Sequence, residues 1–340
     1  MKKSWKTAGI SLCAGKKKKW KQRVLSIFSA ILLATPMVAN ADSYPSAPIK
    51  FVVPFGPGSA TDTLARIIGE KASAELGVPV IVENRAGALG TIGTSLVAKA
   101  PADGYTLLVG TNTTNAAIQA FVKSVPYDPQ KDFSPISFIG ELTQIVVVGS
   151  DSRFNSLPEL LAYAAENPGK LTYAWSNTVG RMSTAMLAQQ ANVQFTDIPY
   201  KEAGTALIDV VSGRVDFAID NAISTSSQIQ GKNLRPLAVS SSAPLATLPD
   251  VPTVAQEANL PDYEVKAFFA LFAPAGTPED IIRKLSHTMR IASEDPHVQR
   301  RLAALGMEVR SSTPEQLKSR IDTEIIKWTQ SARLAGIEPQ

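Results

Sequence analysis

The chain has 340 residues, a formal net charge of +4, one cysteine and two histidines. At roughly 150 residues per domain, this length predicts two domains, each large enough to bury a core of its own. The single cysteine excludes a disulfide framework within the chain, and two histidines leave little for a multi-histidine metal centre. A basic chain favours nucleic acid or an anionic surface as a partner only if its positive charge belongs to the folded part.

Segment 1–41 is predicted to be a signal peptide that is cleaved after Ala41. It carries nine basic residues and no acidic one, then the apolar run 24–34 and the sequence Ala-Asn-Ala at 39–41. The run is about half of the roughly 20 residues that a membrane span needs, and the alternative is an uncleaved signal anchor. Removing the segment leaves 25 basic and 30 acidic residues, a net charge of −5 and no cysteine. The mature protein is therefore expected in the periplasm, and nucleic acid is not expected as its partner.

Apolar, β-branched runs alternate with amphipathic stretches along the mature chain. The first series predicts strands and helices in alternation at 49–55, 61–76, 78–82, 91–100 and 105–109. The second series begins with a strand at 144–149 and a helix at 156–167, and then predicts strands near 171–175, 195–200, 215–220 and 234–240 and a helix near 203–212. The C-terminal part is helical, with helices predicted at 280–292, from His297 onward, and at 314–334. This alternation predicts mainly parallel sheets with helices on both faces.

No Gly/Ser-rich linker separates the two series, which favours two α/β lobes joined by crossing strands. We expect lobe 1 to comprise residues 42–143 and 264–340, and lobe 2 to comprise residues 144–263. Three helix starts also have predicted caps: Ser156 with Glu159 in a capping box, and Thr277 and Thr313, each directly before a proline.

The first candidate binding loop is Phe55-Gly-Pro-Gly-Ser-Ala-Thr-Asp62, between the first strand and the first helix. Ligands of open α/β sheets bind outside the carboxyl ends of the strands, where a helix N-terminus offers free N–H groups and partial positive charge. Gly56 and Gly58 allow close approach of the backbone, and hydroxyl side chains follow them. The loop therefore predicts either anion capture without a lysine or a tight turn in which Thr61 or Asp62 only caps the helix. It lacks the third glycine of a dinucleotide fingerprint and the Gly-Lys-Ser/Thr of a P-loop.

Four further segments, three of which directly follow strands, are candidates: 83–93, 110–114, 174–183 and 198–205. In the first, Arg85 forms a structural ion pair or meets a ligand. In the third, Trp175 belongs to the core or stacks on a ligand ring, and Arg181 is a surface charge or a carboxylate partner. In the fourth, Tyr200 is a candidate for the binding cleft.

No catalytic motif is found. The sequence has neither a Gly-x-Ser-x-Gly elbow nor a His-Glu-x-x-His pair, and nothing singles out two carboxylates for acid–base catalysis. His287 and His297 are expected to be exposed or to cap helices. We therefore expect no catalytic residue, no metal and no cofactor.

Eight segments along the mature chain resemble one family in order: FGPGSATDTLAR (55–66), VENRAGALG (82–90), ADGYTLL (102–108), NPGKL (167–171), IPYK (198–201), LPDVPTV (248–254), APAGTP (273–278) and LAALG (302–306). Together they resemble the substrate-binding proteins of tripartite tricarboxylate transporters, also called Bug receptors. The resemblance implies an α/β, two-lobed periplasmic-binding-protein fold (Venus flytrap, type II-like), with mixed, mainly parallel sheets and helices on both faces. It also implies a monomeric receptor that is not an enzyme.

The resemblance implies that this receptor binds a small carboxylate between its lobes and delivers it to integral-membrane permease subunits. The ligand is an aliphatic di- or tricarboxylate, an aromatic carboxylate or an amino acid, whose ammonium would need an acidic partner such as Asp62. The alternatives are a ligand-sensing receptor that acts on a membrane signalling partner, and an α/β enzyme.

Loop 55–62 matches the family's first ligand loop, with Ser59 where a glycine is usual, and loop 110–114 matches a second contact segment. Asp220-Asn221 matches an Asp-Asn pair at the cleft floor, and loop 174–184 departs most from the family pattern. The predicted ligand-binding residues are Phe55, Gly58, Ser59, Ala60, Thr61, Asp62, Thr111, Asn112, Thr113, Trp175, Ser176, Asn177, Thr178, Arg181, Tyr200 and Asp220.

Overall fold

The computed structural model describes Met1, residues 44–334 and residues 336–339. Segment 2–43, which includes the predicted cleavage site, lies outside the described residues. No described helix combines the length and apolar character that crossing a membrane requires.

Ten strands form the sheet structure. Their bounds are β1 (Ile49–Val53), β2 (Val80–Asn84), β3 (Thr106–Thr111), β4 (Phe133–Gly149), β5 (Thr172–Trp175), β6 (Thr196–Pro199), β7 (Phe217–Asn221), β8 (Leu234–Val239), β9 (Lys266–Pro274) and β10 (Met307–Val309). They follow the order β2-β1-β3-β9-β4-β7-β5-β6, with β8 and β10 also pairing with β4. The strands that the sequence predicts all form within a few residues of their predicted bounds, except that β4 begins at Phe133, well before the predicted start at 144.

The two ends of this sheet are parallel and its middle is antiparallel. β1 pairs in parallel with β2 and β3, and β5 pairs in parallel with β6 and β7. Every antiparallel pair involves β4 or β9, the two strands that continue between the parallel sets. The mixed sheet is confirmed, but parallel pairs do not dominate it. The sequence analysis expected mainly parallel pairing because it predicted β4 only in part and β9 not at all.

The first half of β4 is missing from the sequence prediction for a physical reason. Pro135 and Glu141 interrupt its apolar pattern, and a proline removes a donor from the ladder. The structure accommodates Pro135 with a shift of register against β9 between Pro135 and Ser137.

The predicted helices begin and end close to their expected positions. The bounds of the helices are α1 (Ala60–Leu76), α2 (Thr91–Ala98), α3 (Ile118–Phe121, after a π-helical turn at Thr113–Ala117), α4 (Leu157–Glu166), α5 (Thr178–Gln190), α6 (Ala203–Val211), α7 (Ala222–Gln230), α8 (Val254–Glu257), α9 (Glu279–Glu294), α10 (Pro296–Ala303) and α11 (Pro314–Leu334). Four of these helices, α3, α5, α7 and α8, form where the sequence analysis gave no bounds.

The predicted caps have different outcomes. Thr313 and Gln316 form a capping box at α11. Ser156 accepts the amide of Glu159, but the Glu159 carboxylate accepts the Asn155 amide and not that of Ser156. The prediction for Thr277 is wrong, because its hydroxyl donates to the Pro274 carbonyl (2.8 Å) and α9 begins two residues later without a side-chain cap.

Apolar side chains pack on both faces of the sheet. Along β1, Phe51 and Val53 join the cluster under α1, α6 and α9, whereas Val52 joins the cluster under α2, α5 and α11. This alternation is what a strand buried on both faces requires.

A buried carboxylate ties the crossing strands to α11. Glu141 on β4 is almost fully buried and meets Lys266 Nζ of β9 (3.2 Å), Arg310 (2.9 Å) and Arg320 of α11 (2.8 Å). Burial alone would raise the pKa of Glu141, but the charge of Lys266, the Arg320 hydrogen bond and the arginine charges outweigh it and hold the pKa below its ordinary value. The network therefore fixes three elements around one charge.

Replacing Glu141 by glutamine is expected to lower the free energy of unfolding at pH 7 by about 3 kcal/mol, because three cations then lose their shared counter-charge. The lowered pKa means that the contribution of Glu141 is present above its ordinary pKa of 4.5 and is lost as pH falls through the folded-state value. Denaturant titrations of both proteins between pH 3 and 7 should show the difference shrinking at acid pH.

The matched control is Glu308→Gln, because Glu308 contacts the same lysine (3.3 Å) with a half-exposed side chain. Its effect is expected to stay below about 0.5 kcal/mol. Equal effects of the two substitutions, or a Glu141→Gln effect that does not depend on pH, would contradict the assignment.

Candidate functional site

A cavity of about 120 Å³ lies where β1 and β3 end and where α1, α5 and α7 begin or are capped. We call it the central cavity. Eight of the predicted ligand-binding residues line it: Phe55, Ser59, Ala60, Thr61, Thr111, Asn112, Thr113 and Asn177. Of the fourteen described residues that line this cavity, none is charged.

The N-terminus of α1 supplies main-chain donors to this cavity. Ser59 is the N-cap: its hydroxyl accepts the Asp62 amide (3.2 Å) and its carbonyl accepts the Thr63 amide (2.9 Å). The amides of Ala60 and Thr61 have no partner among the described residues, as is usual for the first turn of a helix. The hydroxyl that replaces the family's glycine therefore serves as a cap.

Asp62 does not line the central cavity but holds its first loop. Its carboxylate accepts the Gly58 amide (2.9 Å) and the Asn84 side-chain amide (2.9 Å), and it forms an ion pair with Arg66 (2.9 Å). Burial opposes ionisation, yet the hydrogen bonds from Arg66, Gly58 and Asn84 hold the pKa of Asp62 below its ordinary value. Gly58 has φ +79°, a left-handed conformation that suits glycine.

The second wall is the segment that follows β3. The Asn112 side chain is fully buried and donates from Nδ2 to the Lys266 carbonyl of β9 (3.1 Å). The Thr113 hydroxyl forms a hydrogen bond with the hydroxyl of Thr178, the first residue of α5. Loops 110–114 and 174–183, predicted separately, are thus in direct contact.

The third wall of the cavity includes Asn177 and Asn221, and Asp220, which does not line the cavity, orients both side chains. Its carboxylate accepts the Asn221 amide (2.7 Å), the side-chain amides of Asn221 (2.8 Å) and Asn177 (3.1 Å), and the Ser176 hydroxyl (3.3 Å). Burial raises the pKa of Asp220, although each of these hydrogen bonds opposes the shift. Asn177 and Asn221 also cap α5 and α7, so one carboxylate orients both caps.

Close packing brings these caps together. A Cβ at Gly180, in the first turn of α5, would overlap the carbonyl oxygen of Ile219 on β7. Only glycine allows this approach, which puts Asn177 within reach of Asp220.

Trp175 and Arg181 do not line the central cavity. The Arg181 guanidinium lies 4.7 Å from the centre of the Trp175 ring and 3.5 Å from Asp197, and the indole N–H donates to Asp197 (3.1 Å). Arg181 instead lines a separate cavity of about 730 Å³ beside α5 and β6, which we call the lateral cavity. Tyr200 also lies outside the central cavity and donates its hydroxyl to Asp209 (2.8 Å).

Other candidates have structural roles. Arg85 forms an ion pair with Glu83, and His287 and His297 are exposed as predicted. Within the described part of the chain, no group of three or more His, Cys, Asp or Glu side chains is arranged to hold a metal ion.

Six residues line the central cavity without having been predicted as ligand-binding: Leu142, Gln144, Val179, Asn221, Ala267 and Phe269. The sequence did point to Asn221, because it is the second residue of the Asp-Asn pair that matches the family. Four of the others lie on the crossing strands β4 and β9, where no loop motif marks them.

Comparison with known proteins identifies the family of the chain. The sequence profile described as tripartite tricarboxylate transporter family receptor matches residues 64–335. Protein BugT of Bordetella pertussis is 35% identical over 321 residues, which cover 92% of this chain and 98% of that protein.

Two solved structures are similar over most of the chain. Rpa4515 of R. palustris, solved with adipate, is 32% identical with a TM-score of 0.82, covering 87% of this chain and 100% of that one. MatC from Rhodopseudomonas palustris, solved with bound malate, is 32% identical with a TM-score of 0.77, covering 85% of this chain and 100% of that one.

The fold is that of a two-lobed periplasmic binding protein. The chain belongs to the tripartite tricarboxylate transporter receptor family, which includes the Bug proteins. The resemblance found in the sequence is thereby confirmed.

Removing the Asp220 carboxylate with Asp220→Ala is expected to lower the free energy of unfolding by about 2–3 kcal/mol, because two half-buried asparagine side chains lose their acceptor. Asp220→Asn is the matched control: its oxygen keeps three of the four bonds, and its NH2 group can donate to the Ser176 hydroxyl. Chemical denaturation of both variants checks this, and Asp220→Asn should stay within about 1 kcal/mol of the wild type. Equal losses in both variants would show that the charge itself, and not the caps, is what matters.

Proposed function

We propose that this protein is an exported receptor that binds a small aliphatic carboxylate in the central cavity and delivers it to the permease subunits of a tripartite tricarboxylate-type transporter. The cavity lies between lobes of residues 42–143 with 264–340 and residues 144–263. Segment 1–41 directs export to the periplasm and is removed after Ala41. The protein acts by binding and closure as a monomer, without catalysis or a cofactor.

One observation carries this proposal. The first turn of α1 has main-chain amides without partners among the described residues, and the described cavity wall around it has no charged side chain. The Ala60 and Thr61 amides and the neighbouring hydroxyls are donors that an ionised carboxylate accepts well. Micromolar affinity corresponds to about −8 kcal/mol, and a hydrogen bond to a charged group contributes roughly 1.5–3 kcal/mol. Four or five such bonds reach that range before entropy costs, so no cationic side chain is required.

Three considerations favour an aliphatic ligand over the other classes. Both similar structures named above hold aliphatic dicarboxylates, adipate and malate. The Trp175 ring, a candidate partner for an aromatic ligand, is already covered by Arg181. Asp62, the candidate partner for the ammonium of an amino acid, already has its oxygens engaged by Gly58, Asn84 and Arg66.

A thermal-shift screen of the purified protein tests the ligand class. At a concentration 100 times its Kd, a ligand adds about 2.7 kcal/mol of stability, which should raise Tm by on the order of 5 °C. We expect this from an aliphatic di- or tricarboxylate and not from aromatic carboxylates or nucleotides.

Ala60→Pro then tests where the ligand binds. Ala60 is the first residue of α1, and the preceding Ser59 (φ −66°, ψ 160°) has the extended conformation that proline tolerates before it. The substitution removes one N–H donor and keeps the helix, so calorimetric titration should show about 10- to 100-fold weaker carboxylate binding.

Ala203→Pro is the matched control, since it puts proline at the first position of α6, after the extended residue Glu202 and outside the central cavity. Its Kd should stay within about twofold of the wild type. Stabilisation by a nucleotide and by no carboxylate, or full carboxylate affinity in Ala60→Pro, would overturn the proposal.

A further inference from the structure

A cavity of about 390 Å³, separate from the central cavity, is lined by α11, by Phe138 of β4 and by the segment that follows β10. We call it the arginine cavity, because both Arg310 and Arg320 line it. Their side chains are 58% and 30% exposed, so a solute can reach them. The one acid in the described lining, Glu324, already accepts the indole N–H of Trp328 (2.7 Å). The described lining therefore carries more positive than negative charge.

The two guanidinium groups are held in place by a shared carboxylate and a shared aromatic ring. Arg310 and Arg320 each donate one hydrogen bond from Nη2 to Glu141, at 2.9 and 2.8 Å. Both also lie over the ring of Phe138, at 5.5 and 4.3 Å from its centre. An arginine loses side-chain freedom when it binds an anion, and these two have already lost part of it. The pair is therefore preorganised for a further contact.

One carboxylate does not balance the charge of this pair. Glu141 also meets Lys266 (3.2 Å), so three cations share it. The two other acids of the network, Glu264 and Glu308, pair with Lys266 at 3.4 and 3.3 Å, and neither pairs with an arginine among the described residues. Two like charges that converge on one acceptor repel each other. An anion beside the two arginines would offset this repulsion.

Hydrogen-bond donors without a partner surround the pair. In the described part of the chain, Nη1 of each arginine and the hydroxyls of Ser311 and Ser319 take part in no hydrogen bond, and all four residues line the cavity. Gln316, also in the lining, accepts the Thr313 amide with Oε1 (3.0 Å), which leaves its NH2 group as a donor. The cavity thus offers a surplus of donors at residues that solvent reaches.

This donor set fits a tetrahedral oxyanion. The fork of a guanidinium group matches two oxygens of a phosphate, and the other oxygens of the phosphate accept from further directions. A carboxylate has only two oxygens in one plane, so it would leave part of the donors without an acceptor. The volume is at the lower end of the roughly 300–1,000 Å³ that small-molecule sites have, which suits a single phosphate group or a small monoester.

We infer that the arginine cavity is a second anion site, which binds inorganic phosphate or the phosphate group of a small monoester between Arg310 and Arg320. Ser311, Ser319 and Gln316 complete the set of donors. The site is separate from the carboxylate site of the proposed function and does not depend on it. A bound phosphate would also hold α11 against β4, because the two arginines come from α11 and from the segment after β10, and both lie over Phe138 of β4.

Calorimetric titration of the mature protein with inorganic phosphate, and separately with glycerol 3-phosphate, tests the inference. Chloride keeps the ionic strength constant, because added salt alone weakens exposed ion pairs. We expect saturable binding of one anion with a Kd on the order of 1 mM or lower. The anion that binds more tightly shows whether free phosphate or a phosphate ester is the ligand. Ala60→Pro should leave this Kd within about twofold, since Ala60 lies in the central cavity.

Arg310→Gln removes one fork of the site and should weaken phosphate binding about tenfold or more. The matched control is Arg214→Gln. Arg214 is also an exposed arginine with an acidic partner, Asp209 (2.7 Å), and it lies outside the arginine cavity. Its substitution should leave the Kd within about twofold of the wild type.

Ser319→Glu is a second variant that does not touch the Glu141 network. Ser319 is exposed on α11, and glutamate is a good helix former, so the fold is kept while a carboxylate enters the cavity and repels the anion. We expect phosphate binding about tenfold weaker or lost. Thr329→Glu is the control, because it adds the same charge at an exposed position about 15 Å further along α11.

Three results would overturn the inference. The first is the absence of saturable phosphate or monoester binding above the chloride background. The second is an unchanged phosphate affinity in a folded Arg310→Gln or Ser319→Glu protein. The third is a loss of phosphate binding in Ala60→Pro, which would put the anion in the central cavity. None of these results bears on carboxylate binding, so the proposed function stands or falls by its own experiments.

Discussion

The proposed function depends on one constraint: the described wall of the central cavity has no charged side chain, so the proposal assigns the anion to main-chain amides and neutral donors. The two carboxylates near the cavity are not exposed to the ligand. Asp62 fixes the loop that carries the Ala60 and Thr61 amides, and Asp220 orients the caps of α5 and α7. Each acid thus positions hydrogen-bond donors of the cavity wall without lining the cavity itself. A predicted net charge of −5 on the mature chain is compatible with the proposed anion binding, because the relevant field is local.

The crossing strands connect the stability of the fold to the site. β4 carries Glu141 and Gln144 three residues apart, so the charge network and the cavity wall lie on the same stretch of strand. β9 carries Lys266, whose ammonium meets Glu141 and whose carbonyl accepts the Asn112 side chain. A change in the relative position of the two strands would therefore move Asn112 and Gln144, which line the central cavity.

The sequence predicts what local patterns encode. Alternating strands and helices, the glycine-rich first loop and the hydroxyl-rich loop after β3 all appear where expected, because turn chemistry and helix N-termini are determined by neighbouring residues. What it misses depends on distant pairing. The first half of β4 contains Pro135 and Glu141, which are acceptable only with the register shift against β9 and the cations of other elements. Gln144 and Phe269 lie on strands with no motif, and the sequence does not reveal the ion pair of Arg181 with Asp197 on β6.

The most direct test of this account is an NMR titration of the mature protein, labelled with ¹⁵N-alanine, against malate. The account predicts that the Ala60 amide proton moves downfield and saturates with the ligand, because it donates to the bound carboxylate. Ala185 and Ala188, which line the lateral cavity, should stay unchanged. A saturating shift of Ala185 and Ala188 with an unchanged Ala60 would contradict the account, because the carboxylate would then bind beside Arg181 and not at the first turn of α1.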